Sequence, residues 1–287
     1  MTIQLAYQQL LAQLYEVYDN REAANIADMV IEHVTGQRKI DRIVYKDIPV
    51  NTKQQEQLQK ITGELLQHRP VQYVLGEAWF MDMKLRVNES VLIPRPETEE
   101  LVEWILNDIR KSGNKEISLI DIGTGSGCIP IAVRKKIPDA GVSAIDVSDN
   151  ALQVAILNSI EQKVLVDFLH LDFLNEEEWN QLGKYNIIVS NPPYIKQSEA
   201  GLMRDNVLKY EPKVALFVPD KDALVFYKAI AKFSRSHLKP GGSVYVEINE
   251  ALGEAVVAIF KATGFTEVIL KKDMQGRERM VKAATAH

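Results

Sequence analysis

Ser190-Asn191-Pro192-Pro193-Tyr194 combines an amide side chain, two residues without an N–H and a phenol. An amide or aromatic-amine nitrogen delocalises its lone pair into a π system and is a poor nucleophile. Its NH2 group has two hydrogens, which the Asn191 side-chain oxygen and a main-chain carbonyl, that of Pro192, can accept one each. The prolines stiffen the loop and, lacking N–H groups, leave its carbonyls free to face a ligand. Tyr194 offers an aromatic face to a planar group. The segment ends the apolar run Asn186–Ser190, and open α/β sheets bind ligands beyond the carboxyl ends of their strands. Taken alone, Asn-Pro-Pro-Tyr reads equally as a turn, so its meaning depends on what stands upstream.

Upstream stands Asp121-Ile122-Gly123-Thr124-Gly125-Ser126-Gly127, after a strand and before a helix. Glycines allow a tight turn and let backbone amides approach a ligand that a Cβ would obstruct. Asp146 lies nineteen residues beyond Gly127, at the end of the next strand, placed to accept both hydroxyls of a ribose. Dinucleotide and S-adenosylmethionine sites share this geometry. Counting from Gly123, the dinucleotide pattern wants Gly or Ala at 128, where Cys128 stands. An aspartate before the first glycine, here Asp121, is instead typical of methyltransferases, near the methionine end of the cofactor. Asp172 ends the third strand and is placed to meet the adenine amino group, although an aspartate there caps a turn as readily. The expected cofactor contacts are therefore Asp121, Gly123, Thr124, Gly125, Gly127, Asp146, Val147, Asp172, Phe173 and Asn191. The expected reaction is methyl transfer from S-adenosylmethionine to a planar amide-type nitrogen, leaving S-adenosylhomocysteine. Orientation and acceptors that favour the charge developing on nitrogen carry the catalysis. The proton leaves after transfer, so no His or Cys catalyst is required.

Composition narrows the surroundings. With 287 residues the chain is long for one ordinary domain and comfortable for two. One cysteine excludes an intrachain disulfide and a multi-cysteine zinc site, and the five histidines are scattered, so no metal is expected. A net charge of −5 argues against an electrostatic nucleic-acid binder. The N-terminus lacks the positive start and apolar block of a signal peptide, and no stretch approaches a membrane span. A cytoplasmic monomer without membrane or direct nucleic-acid contact is the expectation.

The first third of the chain reads as helices. Leu5, Leu10, Leu11, Leu14 and Val17 recur at helical spacing, as do Ala23, Ile26, Ala27, Val30, Ile31 and Val34. Asp19-Asn20 offers an N-cap and Gly36 a stop, and a third helix is expected over about Thr52 to Gln67. From Val71 to Pro94 partial alternation suggests a β-hairpin, and a helix capped by Thr98 follows, running to about Arg110. After Lys115, strands at Ile117–Ile122, Val142–Val147, Asp167–Leu171, Asn186–Ser190 and Ser243–Ile248 alternate with helices. Thr266–Lys272 and Arg279–Ala284 form a terminal antiparallel hairpin. The expected fold is α/β: a Rossmann-like class I methyltransferase with a mostly parallel seven-stranded sheet and a small N-terminal helical domain. Its expected divisions are 1–72 as a helical bundle, 73–94 as a hairpin linker and 95–287 as the methyltransferase domain.

With these segments in view, the chain resembles the release factor glutamine N5-methyltransferases, the PrmC/HemK family, across nearly all its length. Arg69-Pro70-Val71-Gln72-Tyr73-Val74-Leu75-Gly76, Val91–Glu99, Asp121–Gly127, Asp146-Val147-Ser148, Ser190–Ile195 and Glu211-Pro212-Lys213-Val214-Ala215-Leu216 carry the resemblance. The Asn-Pro-Pro-Tyr turn alone is shared with adenine-N6 and cytosine-N4 methyltransferases; the Arg-Pro-Val-Gln-Tyr and Pro-Arg-Pro-Glu-Thr-Glu segments narrow the match. The resemblance implies methylation of the glutamine in the Gly-Gly-Gln loop of class I peptide chain release factors, with the helical domain gripping that partner. It implies that Asn191, Pro192 and Tyr194 are the catalytic residues, Asn191 and Pro192 holding the glutamine amide while Pro193 and Tyr194 line its slot, and that Arg95 and Glu97 shape the entrance. For the last two a plain helix-start loop is the competing reading. The segment 217–223 departs from the family pattern, which often has glycines there. A nucleic-acid amine methyltransferase is the alternative, disfavoured by the acidic balance. A non-catalytic scaffold of the same fold and a nicotinamide oxidoreductase fit the intact motifs less well.

Overall fold

The computed structural model describes residues 1–113, 116–203 and 205–285; the last two residues of the expected methyltransferase domain lie outside them. The first compact unit is Met1–Glu77 together with one short helix contributed from far along the chain. Its helices are α1 (Ile3–Leu14), α2 (Asn20–Thr35), α3 (Lys39–Val44), α4 (Thr52–Leu65) and α5 (Val71–Leu75). Asp19 caps α2 by accepting from the Arg21 and Glu22 amides, and Gly36 ends it at φ 72°. Ile3, Ala6, Leu10 and Leu14 of α1 pack with Ile26, Val30, Leu58 and Leu65 in one apolar core. Leu5 corrects the expected stripe. It is 45% exposed, because it lies roughly 200° round the helix from Ile3 at 3.6 residues per turn. Two further helices differ from the expectation: α3 is only six residues long, with Ile40, Ile43 and Val44 exposed and Arg42 its buried residue, and Val71–Leu75 is helical where the pattern suggests the start of a hairpin. Pro70 immediately precedes that last helix, and Gly76 stops it at φ 72°.

The second unit runs over Ala78–Met203 and on from Glu211. The pair β1 (Glu77–Phe80) and β2 (Met83–Arg86) leads to α6 (Pro96–Ser112). Then come β3 (Ser118–Ile122), α7 (Cys128–Lys136), β4 (Gly141–Asp146), α8 (Asp149–Gln162), β5 (Asp167–His170) and β6 (Tyr185–Ser190). A clip follows, with β7 (Ile195–Lys196) parallel to β8 (Phe217–Val218). Between them lie α9 (Asp205–Tyr210), the short helix that groups with the first unit, and α10 (Lys213–Leu216). The chain closes with α11 (Val225–His237), β9 (Leu238–Glu247), α12 (Gly253–Ala262), β10 (Glu267–Lys272) and β11 (Glu278–Ala284).

The main sheet has seven strands in the order β10-β11-β9-β6-β3-β4-β5. The five from β9 to β5 are parallel, and β11 and β10 add the antiparallel edge, as the sequence predicts. Two apolar cores cover the two faces. On one, Leu119, Val142 and Val189 meet Leu101, Ile105, Ile129 and Val133. On the other, Ile120, Ile188 and Val246 meet Tyr227, Phe233 and Phe260. Strands buried on both faces cannot alternate, which is why their sequences read as continuous apolar runs. The strand order reverses between β3 and β6, so a ligand cleft opens beyond their carboxyl ends.

Candidate active site

Register brings the two motif loops together. Ile122 of β3 pairs with Ser190 of β6, and the Ser190 hydroxyl donates to the Ile122 carbonyl at 2.7 Å. The glycine loop and the Asn-Pro-Pro-Tyr turn therefore leave the sheet side by side. Gly123 and Gly125 adopt φ 73° and 54°, in the left-handed region where side chains are strained. The Gly123 and Thr124 amides donate to the Ile145 carbonyl at 2.9 and 3.0 Å, anchoring the loop on β4. Asn158, fully buried on α8, donates to the Ser126 carbonyl at 2.9 Å and holds the loop from behind. Nothing in its helical neighbourhood of sequence marks that role.

One cavity runs between the loops. Its wall includes Gly123, Thr124, Gly125, Asp146, Val147, Asp172 and Phe173 on one side, and Asn191, Pro192, Pro193, Arg95 and Thr98 on the other. Asp146 accepts from the Gly125 amide at 2.8 Å and from the Ser148 amide at 2.9 Å. Burial raises its carboxyl above the usual range, and these amides oppose the shift. Asp172 accepts from the Leu174 amide at 3.0 Å, so it caps its turn while also facing the cavity. Phe173 stacks on Trp179 with centroids 5.4 Å apart.

Asp121 stands behind this wall, fully buried, and neither of its oxygens has a hydrogen-bond partner among the described residues. The Thr124 hydroxyl, which does reach the wall, is likewise unpartnered. Burial pushes the Asp121 carboxyl up to about 7, the charge of Asp146 adds to the rise and the nearby Thr124 hydroxyl opposes it. Orphaned acceptors at such a depth cost stability unless a donor completes them. They fit the ammonium end of S-adenosylmethionine, as the Asp146 carboxylate in the cavity wall fits the hydroxyls of its ribose.

Besides Asp121, three further expected site residues lie outside the wall. Gly127 is not in the cavity wall; it begins α7 at φ 78°, and a Cβ there would meet the Ala155 Cβ and Ile131 Cδ1 at 3.0 Å. Its part is close packing of α7 on α8. Tyr194 packs against the second core and is held neutral by burial and by the charge of Glu247, which raise its phenol above the ordinary range. Glu97 lies in the first turn of α6, outside the wall. Arg95 joins the cavity and pairs with the buried Glu211 at 2.6 Å, linking the Pro-Arg-Pro-Glu-Thr and Glu-Pro-Lys segments.

Thr98 also departs from its expected role. The helix starts at Pro96 with Arg95 at the cap position, so Thr98 falls inside the first turn and turns inward, 2% exposed. Its hydroxyl donates to Glu247 Oε2 at 2.6 Å and accepts from Asn191 Nδ2 at 3.1 Å. Glu247 was not singled out from the sequence. The available signal was a carboxylate closing the apolar run Val244-Tyr245-Val246, an uncommon residue at a buried strand end. Cys128 lines the cavity, yet burial pushes its thiol up to about 12, which makes it a poor nucleophile.

The chain is similar to known proteins. Residues 100–209 match the model described as "Methyltransferase small domain" and residues 6–76 the "PrmC N-terminal domain". A protein named release factor glutamine methyltransferase from Flavobacterium psychrophilum is 40% identical over 96% of both chains. One of the same name from Bacteroides thetaiotaomicron is 39% identical over 94% of this chain and 95% of its own. A 16S rRNA N2 G1207 methyltransferase of T. thermophilus, solved with AdoMet and guanosine, superposes with a TM-score of 0.51 at 17% identity. It covers 73% of this chain and 50% of that one, and shows the shared fold alone.

Proposed function

The chain belongs to the release factor glutamine methyltransferase family, and from that premise we propose that it methylates the side-chain amide nitrogen, N5, of the glutamine in the Gly-Gly-Gln loop of class I peptide chain release factors. The observation that carries this reading is the fixed amide of Asn191, tethered through its nitrogen and lining the same cavity as Asp146.

When bound, S-adenosylmethionine supplies an electrophilic sulfonium methyl. Asp146 holds the ribose and organises the glycine loop through Gly125. Asp121 would stand near the ammonium end from behind Thr124, and Val147, Asp172 and Phe173 would bound the adenine side. Asn191 Oδ1 accepts one hydrogen of the glutamine NH2, and the Pro192 carbonyl accepts the other. Both acceptors gain strength as positive charge develops on the nitrogen, which is where rate acceleration arises. Pro192 and Pro193 keep competing N–H donors out of the slot, while Tyr194 stiffens the turn from behind. Arg95 borders the entrance, anchored by Glu211. The proton left on the methylated nitrogen passes to solvent.

The protein acts as a monomer in the cytoplasm, where release factors meet ribosomes. Among the described residues no helix is long and apolar enough to cross a membrane. Incubation with methyl-labelled cofactor and a choice of class I release factor, transfer RNA, ribosomal RNA and duplex DNA, followed by mass spectrometry, tests the reading. One methyl on the Gly-Gly-Gln glutamine is expected; label on a nucleic-acid amine instead would overturn it.

A further inference from the structure

Glu247 and Thr98, both buried, and the half-buried Asn191 form a hydrogen-bond chain from the end of β9, across the first turn of α6, to the Asn-Pro-Pro-Tyr turn. Its direction follows from proton counting. The ionised Glu247 carboxylate can only accept, so the single Thr98 proton goes to Oε2, at 2.6 Å, a charge-assisted length. With that proton committed, Thr98 can only accept from Asn191, and the group facing it must be the NH2. The Asn191 oxygen is then the end left to the cavity. Were the amide flipped, its NH2 would confront the NH2 of the substrate, donor against donor.

We propose that Glu247 and Thr98 are positioning residues that dictate which end of the Asn191 amide meets the substrate, and thereby favour a carboxamide over a carboxylate in the slot. The inference rests on the methyl-transfer reading above. Neither residue touches the reacting atoms; they act through Asn191, as supporting shells do around a preorganised site.

The carboxyl of Glu247 is pushed up to about 7 by burial; the Thr98 bond opposes this, as do Arg279 and Arg95, while Glu97 adds to it. Tyr194, Tyr227 and Cys128 also lie within its field. Once protonated, Glu247 can donate to Thr98, which releases the hydroxyl to point at Asn191 and loosens the choice of end.

The test uses the full chain with saturating cofactor and a class I release factor. Thr98→Val keeps the shape and removes the hydroxyl, and its kcat is expected to fall ~100-fold, the scale of a misplaced reacting group. The KM for the release factor and the Kd for the cofactor should stay near wild type, and Thr98→Ser should recover most of the rate. In the wild type kcat should fall on the acid side of about pH 7, and Glu247→Gln should lack that limb. Inhibition by a release factor whose glutamine is changed to glutamate should strengthen in Glu247→Gln. Equal kcat in Thr98→Val and Thr98→Ser, or an unchanged acid limb in Glu247→Gln, would overturn the proposal. Should Thr98→Val not fold, the acid limb and the glutamate inhibition decide. If the wild type itself placed no methyl on glutamine, the functional reading would fall separately. The positioning would then be read from the 15N side-chain amide of Asn191: slow proton exchange in the wild type and fast exchange in Thr98→Val support it, and equal exchange sinks it.

Discussion

The Asp146 carboxylate accepts the Gly125 amide at 2.8 Å, so the residue assigned to the ribose also fastens the crest of the loop that approaches the cofactor. Asp146→Ala is expected to weaken cofactor binding by roughly 1–3 kcal/mol, the loss of a charged hydrogen-bond partner. Asp146→Asn should lose less, since its oxygen can still accept from Gly125. Titration calorimetry checks both, and an unaltered affinity in the alanine variant would mean that the ribose assignment is wrong.

Asn191 separates binding from chemistry. Asn191→Ala should lose methyl transfer by about 100-fold or more, as when an oriented acceptor is removed, with cofactor affinity retained. Single-turnover rates beside a cofactor titration measure the split. A near-normal rate would discredit the amide clamp.

Asp121 predicts a pH dependence of stability. Its folded value, about 7, lies above the 3.8 of an unperturbed carboxyl. Between those values the native state holds a proton that the unfolded chain has lost, so stability is full below the lower value and declines as pH rises through the upper one. Glu247, also raised to about 7, contributes the same sign. In the absence of cofactor the melting temperature should drop between about pH 5 and pH 8. Asp121→Asn should drop less, with Glu247 retaining its share, and should bind cofactor more weakly. Parallel melting curves for the two proteins across that range would exclude Asp121 as the titrating group.

Gly127 tests a packing role. Gly127→Ala forces a side chain into φ 78° and against Ala155 at 3.0 Å, with an expected cost of roughly 1–3 kcal/mol. Urea unfolding should show a lower midpoint with the slope unchanged. A loss confined to cofactor affinity, with stability intact, would return Gly127 to the binding loop.

The parallel strands, the glycine loop and the Asn-Pro-Pro-Tyr turn were legible because local chemistry alone marks them: apolar runs, glycines after a strand, prolines after an amide. What escaped was tertiary. Thr98 before a helix looks like a cap, since nothing nearby reveals that the chain enters at Pro96 and carries the hydroxyl inward to Glu247, 149 positions away. Leu5 matches helical spacing until Ile3 and Ala6 define the buried stripe. Gly127 reads as a third ligand glycine because sequence cannot show α8 crossing behind it. Tyr194 reads as a clamp because an aromatic beside prolines gives no sign of which way its ring turns.

The hydroxyl bridge from Ser190 to Ile122 fastens the two rims to each other where their strands end, in addition to the ladder that already pairs these residues. With Ser190→Ala the glycine loop and the asparagine turn would be joined by the β3–β6 ladder alone, and a buried acceptor at Ile122 would lose the hydroxyl that now reaches it.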